Sequence, residues 1–470
     1  MNSTFFFYDL ETFGLNPKED RIAQFAGIRT DANFNIVGDP INIYCQPPKD
    51  YIPDPESILI TGITPQEALE KGVPEAEFAA RIHEEFSTPN TCILGYNSIR
   101  FDDEMIRYLF YRNFLDPYAH HWQNGNSRWD LLDVVRATHA FRPEGIHWPS
   151  DEDGIVNLKL ENLAKVNQLE HEKAHDALSD VYATIAMAKL IQQKQPKLFE
   201  YYFKHRRARD LNNLIDLQNL TPLLHISGMF GQARNNLSMI MPMLFNPHNK
   251  NELISIDLMG DISGILTLNA SKIREKMYTP TADLPEGEAR IPLKGIHLNK
   301  CPILATTKLL PTMATHTIDE AHCRKNFELL SSHKEAVLSK IFEIYQTPRN
   351  YESDPHNEPV ESLLYQGFFE RSDRQQMDLI PKMNGEELLN YDFYFHDPRV
   401  LPLLFIYRAR NYFETLFEDE KEDWKRYLSM KREYYKHKYQ PKYETLLKSA
   451  IEAQDSNKIS LLESIKSEYL

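Results

Sequence analysis

Near its start the chain runs four aromatics straight into two acids, Phe5-Phe6-Phe7-Tyr8-Asp9-Leu10-Glu11. A run this apolar predicts a buried strand, the first of five expected in the first 193 residues, over 4–10, 21–29, 36–46, 91–96 and 128–132. The second and third strands flank a turn-rich stretch, Thr30 to Asn35, so an antiparallel hairpin is expected there. Helical spacing takes over at 74–86, where Phe78, Ile82 and Phe86 share a face, and again at 175–193, with a stripe of Leu178, Val181, Ile185 and Ala188. Strands first, then strands alternating with helices, predict a mixed sheet covered by helices.

The pattern changes after residue 195. Short apolar runs separated by turn residues, at 223–227, 237–244, 253–258, 264–268 and 291–298, predict a small β barrel or sandwich closed by helices near 318–346. A polar stretch rich in proline, 347–359, reads as a linker. Residues 360–470 are rich in helix formers and read as all-α. Three domains are therefore expected, over 1–193, 195–349 and 352–470. The fold class is α/β for the first, with a β-barrel domain and an all-α C-terminal domain after it.

The 470 residues are 42% hydrophobic and 26% charged, an ordinary globular composition that excludes dominant disorder. The four cysteines form no closely spaced pair, so neither a zinc site nor a disulfide framework is expected, and a reducing cytoplasmic location fits. No basic segment leading into an apolar run opens the chain, so no secretory leader is expected. No uncharged stretch is apolar enough for a membrane span. The net charge of −15 argues against a protein coated in nucleic acid by bulk charge, but leaves room for a local basic groove beside an acidic site.

That acidic site begins with Asp9 and Glu11. Residues i and i+2 of a strand point to the same face, so both carboxylates enter one space. Buried acids are costly unless paired or bound to a cation, and two hard anionic oxygens suit a divalent cation such as Mg²⁺. Two other segments carry matching chemistry. In residues 91–105 an apolar strand leads through Asn97 to Phe101-Asp102-Asp103-Glu104 at a helix start, where Asp102 or Asp103 could instead cap the helix. In residues 174–183 His175 stands five residues before Asp180 at the entrance to a helix.

Asp-x-Glu on a first strand, Asn followed by Phe-Asp after a later strand, and His-x-x-x-x-Asp on a final helix together resemble the DEDDh 3′→5′ exonucleases, which have the DnaQ-like, ribonuclease H-type fold. The spacing between Asn97 and Phe101 is one residue longer than in many members. Longer stretches resemble the bacterial exonuclease I family, among them 9–31, 59–68, 91–104, 126–137, 142–149 and 174–190. Later stretches at 225–231, 257–263, 297–305 and 406–416 extend the likeness over nearly the whole chain. The resemblance implies a ribonuclease H-like exonuclease domain, an SH3-like barrel and a helical C-terminal domain around a groove for single-stranded DNA. It further implies hydrolysis of that DNA from the 3′ end to 5′-mononucleotides, in DNA repair and recombination.

On that resemblance Asp9, Glu11, Asp102 and Asp180 hold two Mg²⁺ ions, with Asp9 bridging them. His175 acts as the general base, because a group titrating near pH 6.5 accepts a proton from water better than a carboxylate does. Glu11, Thr12 and Phe13 cradle the 3′-terminal nucleotide, Phe13 lying either against the last base or in the core. Lys159 is expected on phosphate, where related enzymes often carry arginine. Strand binding calls for stacking combined with cations, and Arg107, Tyr118, Trp122 and Arg136 are the candidates. A second interleaving of cations with tyrosines, at 431–443, fits either a DNA contact or a solvated helical face. The family also implies a protein partner, the single-stranded-DNA-binding protein, captured through its acidic and hydrophobic C-terminal tail. Arg142 and Tyr201 are the residues expected to receive that tail, although these cations could instead serve DNA or internal ion pairs. The chain is expected to act as a monomer. The competing readings are an RNA-processing or proofreading relative and a DNA scaffold without catalysis. The extra domains disfavour the former, and the filled catalytic positions disfavour the latter.

Overall fold

A computed structural model describes residues 3–169, 176–279, 283–285, 290–313, 317–348 and 358–469. Within it the chain clusters into two compact units. The first holds residues 1–127, 171–185 and 353–470; the second holds 128–170 and 186–352. Residues 1–127 and 353–470 thus fall in one unit.

The first unit is built on strands β1 (Thr4–Thr12), β2 (Ile22–Thr30), β3 (Ile41–Tyr44) and β4 (Thr91–Gly95), ordered β3-β2-β1-β4. β1 is antiparallel to β2 and parallel to β4, which makes the sheet mixed as expected. The hairpin partner of β2 is much shorter than the expected 36–46. Residues 36–40 are largely exposed and leave the ladder after one bridge, Thr30 to Ile36. The helices Glu75–Ser87 and Asp102–Arg112 cover one face, where Phe78, Ile82 and Phe86 meet Phe6, Tyr8 and Phe25. The strand expected at 128–132 is β5 (Ser127–Asp130), where the chain passes from the first unit into the second.

The C-terminal segment of the first unit is helical, with no strand among its described residues. Its longest helix, Glu418–Glu452, buries Tyr435, Tyr439 and Tyr443, one turn apart, in a cluster with Phe13, Tyr51 and Ile58. The Tyr435 and Tyr51 rings meet edge to face at 5.2 Å. Three of the four tyrosines of 431–443 are therefore core, while Tyr434 is exposed. Residues from the two ends of the chain also share a buried ion network. Arg410 donates to Glu361 Oε1 (2.7 Å) and Asp50 Oδ1 (2.9 Å). Arg21 reaches Glu361 (3.2 Å), and Arg112 donates through Nη2 to Glu75 (2.9 Å). Burial alone would raise the Glu361 carboxyl, but the Arg410 and Arg21 guanidiniums override it and hold that carboxyl far below the usual range.

The second unit carries a five-stranded antiparallel sheet, β10-β6-β7-β8-β9. Its strands are β6 (Leu223–Ile226), β7 (Leu237–Asn246), β8 (Asn249–Asp257), β9 (Leu293–His297) and β10 (Ile303–Thr306). Leu211, Leu223, Ile240, Leu253, Ile296 and Leu304 form its core. The helices Glu320–Ser332 and Lys334–Gln346 come after it, as expected. One expected strand is wrong. Residues 264–267 form most of a short helix, Ser263–Thr267, in which only Ile265 is buried, and Leu268 is the extended residue that ends it. An apolar run of five fits one helical turn as well as a strand, and periodicity does not separate them.

Candidate active site

Asp9 and Glu11 lie on β1 two residues apart, on the face opposite the aromatic core, both partly buried while Tyr8, Leu10 and Thr12 are buried. The β1–β2 register shifts between Glu11 and Thr12, and such a bulge re-aims the strand's last side chains. Asp180 comes from the first turn of the helix Ala177–Lys194. One carboxylate oxygen from each of Asp9, Glu11 and Asp180 can be chosen so that all three lie within 4.8 Å of one another.

Asp102 opens the helix Asp102–Arg112 and is 8% exposed. It is the helix's first residue and not its cap; Phe101 stands at the cap position with no side-chain bond. The longer spacing before Phe101 is taken up by Asn97 in the left-handed region (φ 65°) and a 3-10 turn, Ser98–Arg100. Neighbouring Asp103 faces elsewhere and accepts the Tyr8 hydroxyl at 2.6 Å.

These carboxylates act on one another. Burial and then the charges of Asp102, Asp180 and Glu11 push the Asp9 carboxyl well above its ordinary range. Burial followed by Asp180 and Asp176 raises Glu11 to about 8. Asp176 is a further carboxylate of the site that the sequence reading did not single out. Gln24 donates to it at 3.0 Å, and its adjacency to His175 was the available signal. An all-oxygen, like-charged, partly buried donor set fits hard divalent cations, which remove the repulsion that raises these carboxyls.

Beyond Glu11, the Thr12 hydroxyl donates to the Gly14 carbonyl at 2.8 Å and closes a tight turn. A Cβ on Gly14 would sit 2.2 Å from the Asp20 carboxylate, so only glycine fits. Phe13 is fully buried in the core with Tyr51 and Tyr435; of its two expected places, the structure gives the core. His175 lies outside the described residues.

The expected strand-binding residues fall in different settings. Trp122 is 66% exposed. Arg107 is nearly buried, bonded to Glu104 (2.7 Å) and the Tyr365 hydroxyl (3.1 Å), with its guanidinium 5.4 Å from the Tyr118 ring. These three belong to the first unit; Arg136 and Lys159, and the expected tail-binding residues Arg142 and Tyr201, belong to the second. Arg136 pairs with Asp133 at 2.7 Å. Lys159 is exposed just before the helix Leu160–Val166. Arg142 donates to the Thr312 hydroxyl (2.6 Å) and its charge acts on buried Tyr202. Beside Tyr202, the Tyr201 hydroxyl donates to the Leu304 carbonyl at 3.2 Å.

Comparison with known proteins extends this picture. Residues 6–188 match the family model described as "Exonuclease", 206–347 the exonuclease I SH3-like domain and 358–469 the exonuclease I C-terminal domain. The chain is 49% identical over 467 residues to exodeoxyribonuclease I of Haemophilus influenzae, which covers 98% of this chain and 97% of that protein. Escherichia coli exonuclease I in complex with a dA16 oligonucleotide superposes with a TM-score of 0.93 at 46% identity, over 99% of both chains. The zinc-bound form of the E. coli enzyme with single-stranded DNA gives 0.93 at 46% identity, over 99% and 98%. An SSB/exonuclease I structure with the inhibitor CFAM gives 0.90 at 45%, over 100% and 99%.

Proposed function

The chain belongs to the exonuclease I family, and from that premise we propose that it is a 3′→5′ exodeoxyribonuclease that hydrolyses single-stranded DNA to 5′-mononucleotides. The observation that carries this reading is the convergence of Asp9, Glu11 and Asp180 within 4.8 Å beside buried Asp102. The oligonucleotide bound by the similar E. coli protein supports the substrate class.

Asp9, Glu11, Asp102 and Asp180 hold two Mg²⁺ ions, the all-oxygen set favouring magnesium although a similar protein has been crystallised with zinc. When bound, the ions neutralise phosphate charge and make water acidic enough to be a nucleophile near pH 7. His175 takes the proton from the attacking water. The Thr12–Gly14 turn holds the strand's 3′ end beside Glu11, and Phe13 fixes that turn from the core beneath. Trp122, Tyr118 and Arg107 contact the strand by stacking and charge, as do Arg136 and Lys159 on the second unit. Arg142 with Tyr201 receives the C-terminal tail of the single-stranded-DNA-binding protein, a reading supported by the SSB/exonuclease I structure of a similar protein. Among the described residues no helix is long and apolar enough to cross a membrane, and we place the protein, as a monomer, in the cytoplasm, in DNA repair and recombination. The functional division follows 1–193, 195–349 and 352–470.

Matched 3′- and 5′-labelled DNA and RNA oligomers, digested with Mg²⁺ and then with EDTA, test this. Release of mononucleotides from the 3′ end of DNA is expected, blocked by EDTA and slowed by about 10²–10⁴ in His175→Ala. Cleavage that persists in EDTA, or mononucleotides released from the 5′ end, would overturn it.

A further inference from the structure

Glu104, the third residue of the helix Asp102–Arg112, uses both of its carboxylate oxygens. Its Oε1 accepts from Arg107 Nη1 at 2.7 Å, one turn along the same helix. Its Oε2 accepts the hydroxyl of Tyr365, from the C-terminal segment of the same unit. Arg107 Nη1 also donates to that hydroxyl oxygen, at 3.1 Å. The three groups close a ring in which two N–H and one O–H each have one acceptor, so a single arrangement satisfies it. Among the described residues Arg107 bonds through Nη1 alone, and its buried Nε has no acceptor. Glu104 and Tyr365 therefore set where the guanidinium stands.

Two aromatic rings depend on these bonds. The Arg107 guanidinium lies 5.4 Å from the Tyr118 ring, and Tyr365 is 54% exposed although its hydroxyl is tied down. Arg399 braces the loop that carries Tyr365, donating to the Leu363 carbonyl at 2.7 Å and the Gly367 carbonyl at 3.1 Å. Arg399 thus fixes the loop, and Glu104 fixes the side chain. A tyrosine ring stacks on a base by its face, so its worth depends on which way that face is turned. A carboxylate beside a polyanion is otherwise a liability, since it repels phosphate and cancels an arginine's charge. We propose that Glu104 is a positioning residue for single-strand binding: it holds Arg107 beside Tyr118 and ties Tyr365 by its hydroxyl, so that both rings keep the orientation in which bases stack. The inference rests on the proposed strand path over Tyr118 and Arg107.

Titration of the full chain with a fluorescent oligothymidylate in EDTA tests this without cleavage. Glu104→Ala, measured well below its melting temperature, should weaken binding by about tenfold. The sign decides the matter, because a bystander carboxylate only repels the strand and its removal would tighten binding. Tyr365→Phe keeps the ring and every charge and removes only the hydroxyl; it should weaken binding in the same direction. The double variant should bind no more weakly than Glu104→Ala, because both changes break one ring of bonds. With wild-type binding intact, three results would each overturn the role: affinity in Glu104→Ala equal to or above that of wild type, unchanged affinity in Tyr365→Phe, or additive losses in the double variant. A wild type that binds no single strand would overturn the strand path itself, and this role with it.

Discussion

Two clusters of buried charge stand in the first unit, and they differ in sign pattern more than in composition. The β1 site brings Asp9, Glu11 and Asp180 together, and burial with the neighbouring carboxylates pushes the Asp9 and Glu11 carboxyls upward. The network at Glu361 sets three guanidiniums, Arg21, Arg112 and Arg410, against three carboxylates, Asp50, Glu75 and Glu361. There the Glu75 and Glu361 carboxyls are held down, although burial opposes it. A neutralised cluster is complete and fastens segments together. A like-charged cluster is incomplete and calls for something from solution, which is why perturbed carboxyls of the upward kind point to function.

The sharpest way to break this contrast is to remove one carboxylate from each side. Asp180→Asn should take cleavage to background in Mg²⁺. In EDTA its melting temperature should equal or exceed that of wild type, because one of the mutually repelling acids has been neutralised. A clear destabilisation in EDTA would show that the acids support one another. Glu361→Ala should do the reverse, costing about 3–5 kcal/mol in urea unfolding because two guanidiniums lose a buried partner. Adding Arg410→Met should recover part of that loss; a purely additive double variant would argue against a coupled network.

Acid separates the clusters next. Glu75 and Glu361 have folded pKa values below the unfolded carboxylate value of about 4.3. Their contribution is fully present above that value and is lost as pH falls through the depressed folded values. Stability measured by denaturant between pH 5 and 2 should therefore fall, and Glu361→Gln should make that fall shallower. An unchanged slope in the variant would remove Glu361 from the acid response. The smallest expected effect is at the surface. Trp122→Ala should weaken binding of a single strand by about 1–3 kcal/mol without moving the melting temperature. Unchanged affinity in a fluorescence titration would take Trp122 out of the strand path.

The two clusters were unequally legible in the sequence. Asp9, Glu11, Asp102 and Asp180 each sit at the end of a strand or the start of a helix, where apolar periodicity stops, so local pattern marks them. The ion network leaves no such mark. Arg21 and Glu361 are 340 residues apart, as Asp50 and Arg410 are 360 apart, and only tertiary packing pairs them. The same limit explains the 431–443 stretch. Tyr435, Tyr439 and Tyr443 bury in the cluster with Tyr51 and Phe13, and Lys438 pairs with Glu19 at 2.7 Å, partners far away in the chain. Phe13 shows a different limit, since a lone aromatic beside a site fits ligand or core equally well until its neighbours are known.

The aromatic core beneath the Thr12–Gly14 turn bears on how the protein is made. Phe13 shares that core with Tyr435, Tyr443 and Tyr469, and the Tyr469 hydroxyl closes onto the Pro53 carbonyl, 416 residues away. During synthesis, β1 and its acids leave the ribosome long before the helices that support the turn exist. At about 5–20 residues per second the delay is on the order of 20–80 s. Through that interval the nascent nuclease segment carries an unfinished core, an opening for chaperones and for proteases. The last helices are thus a completion check built into the order of translation.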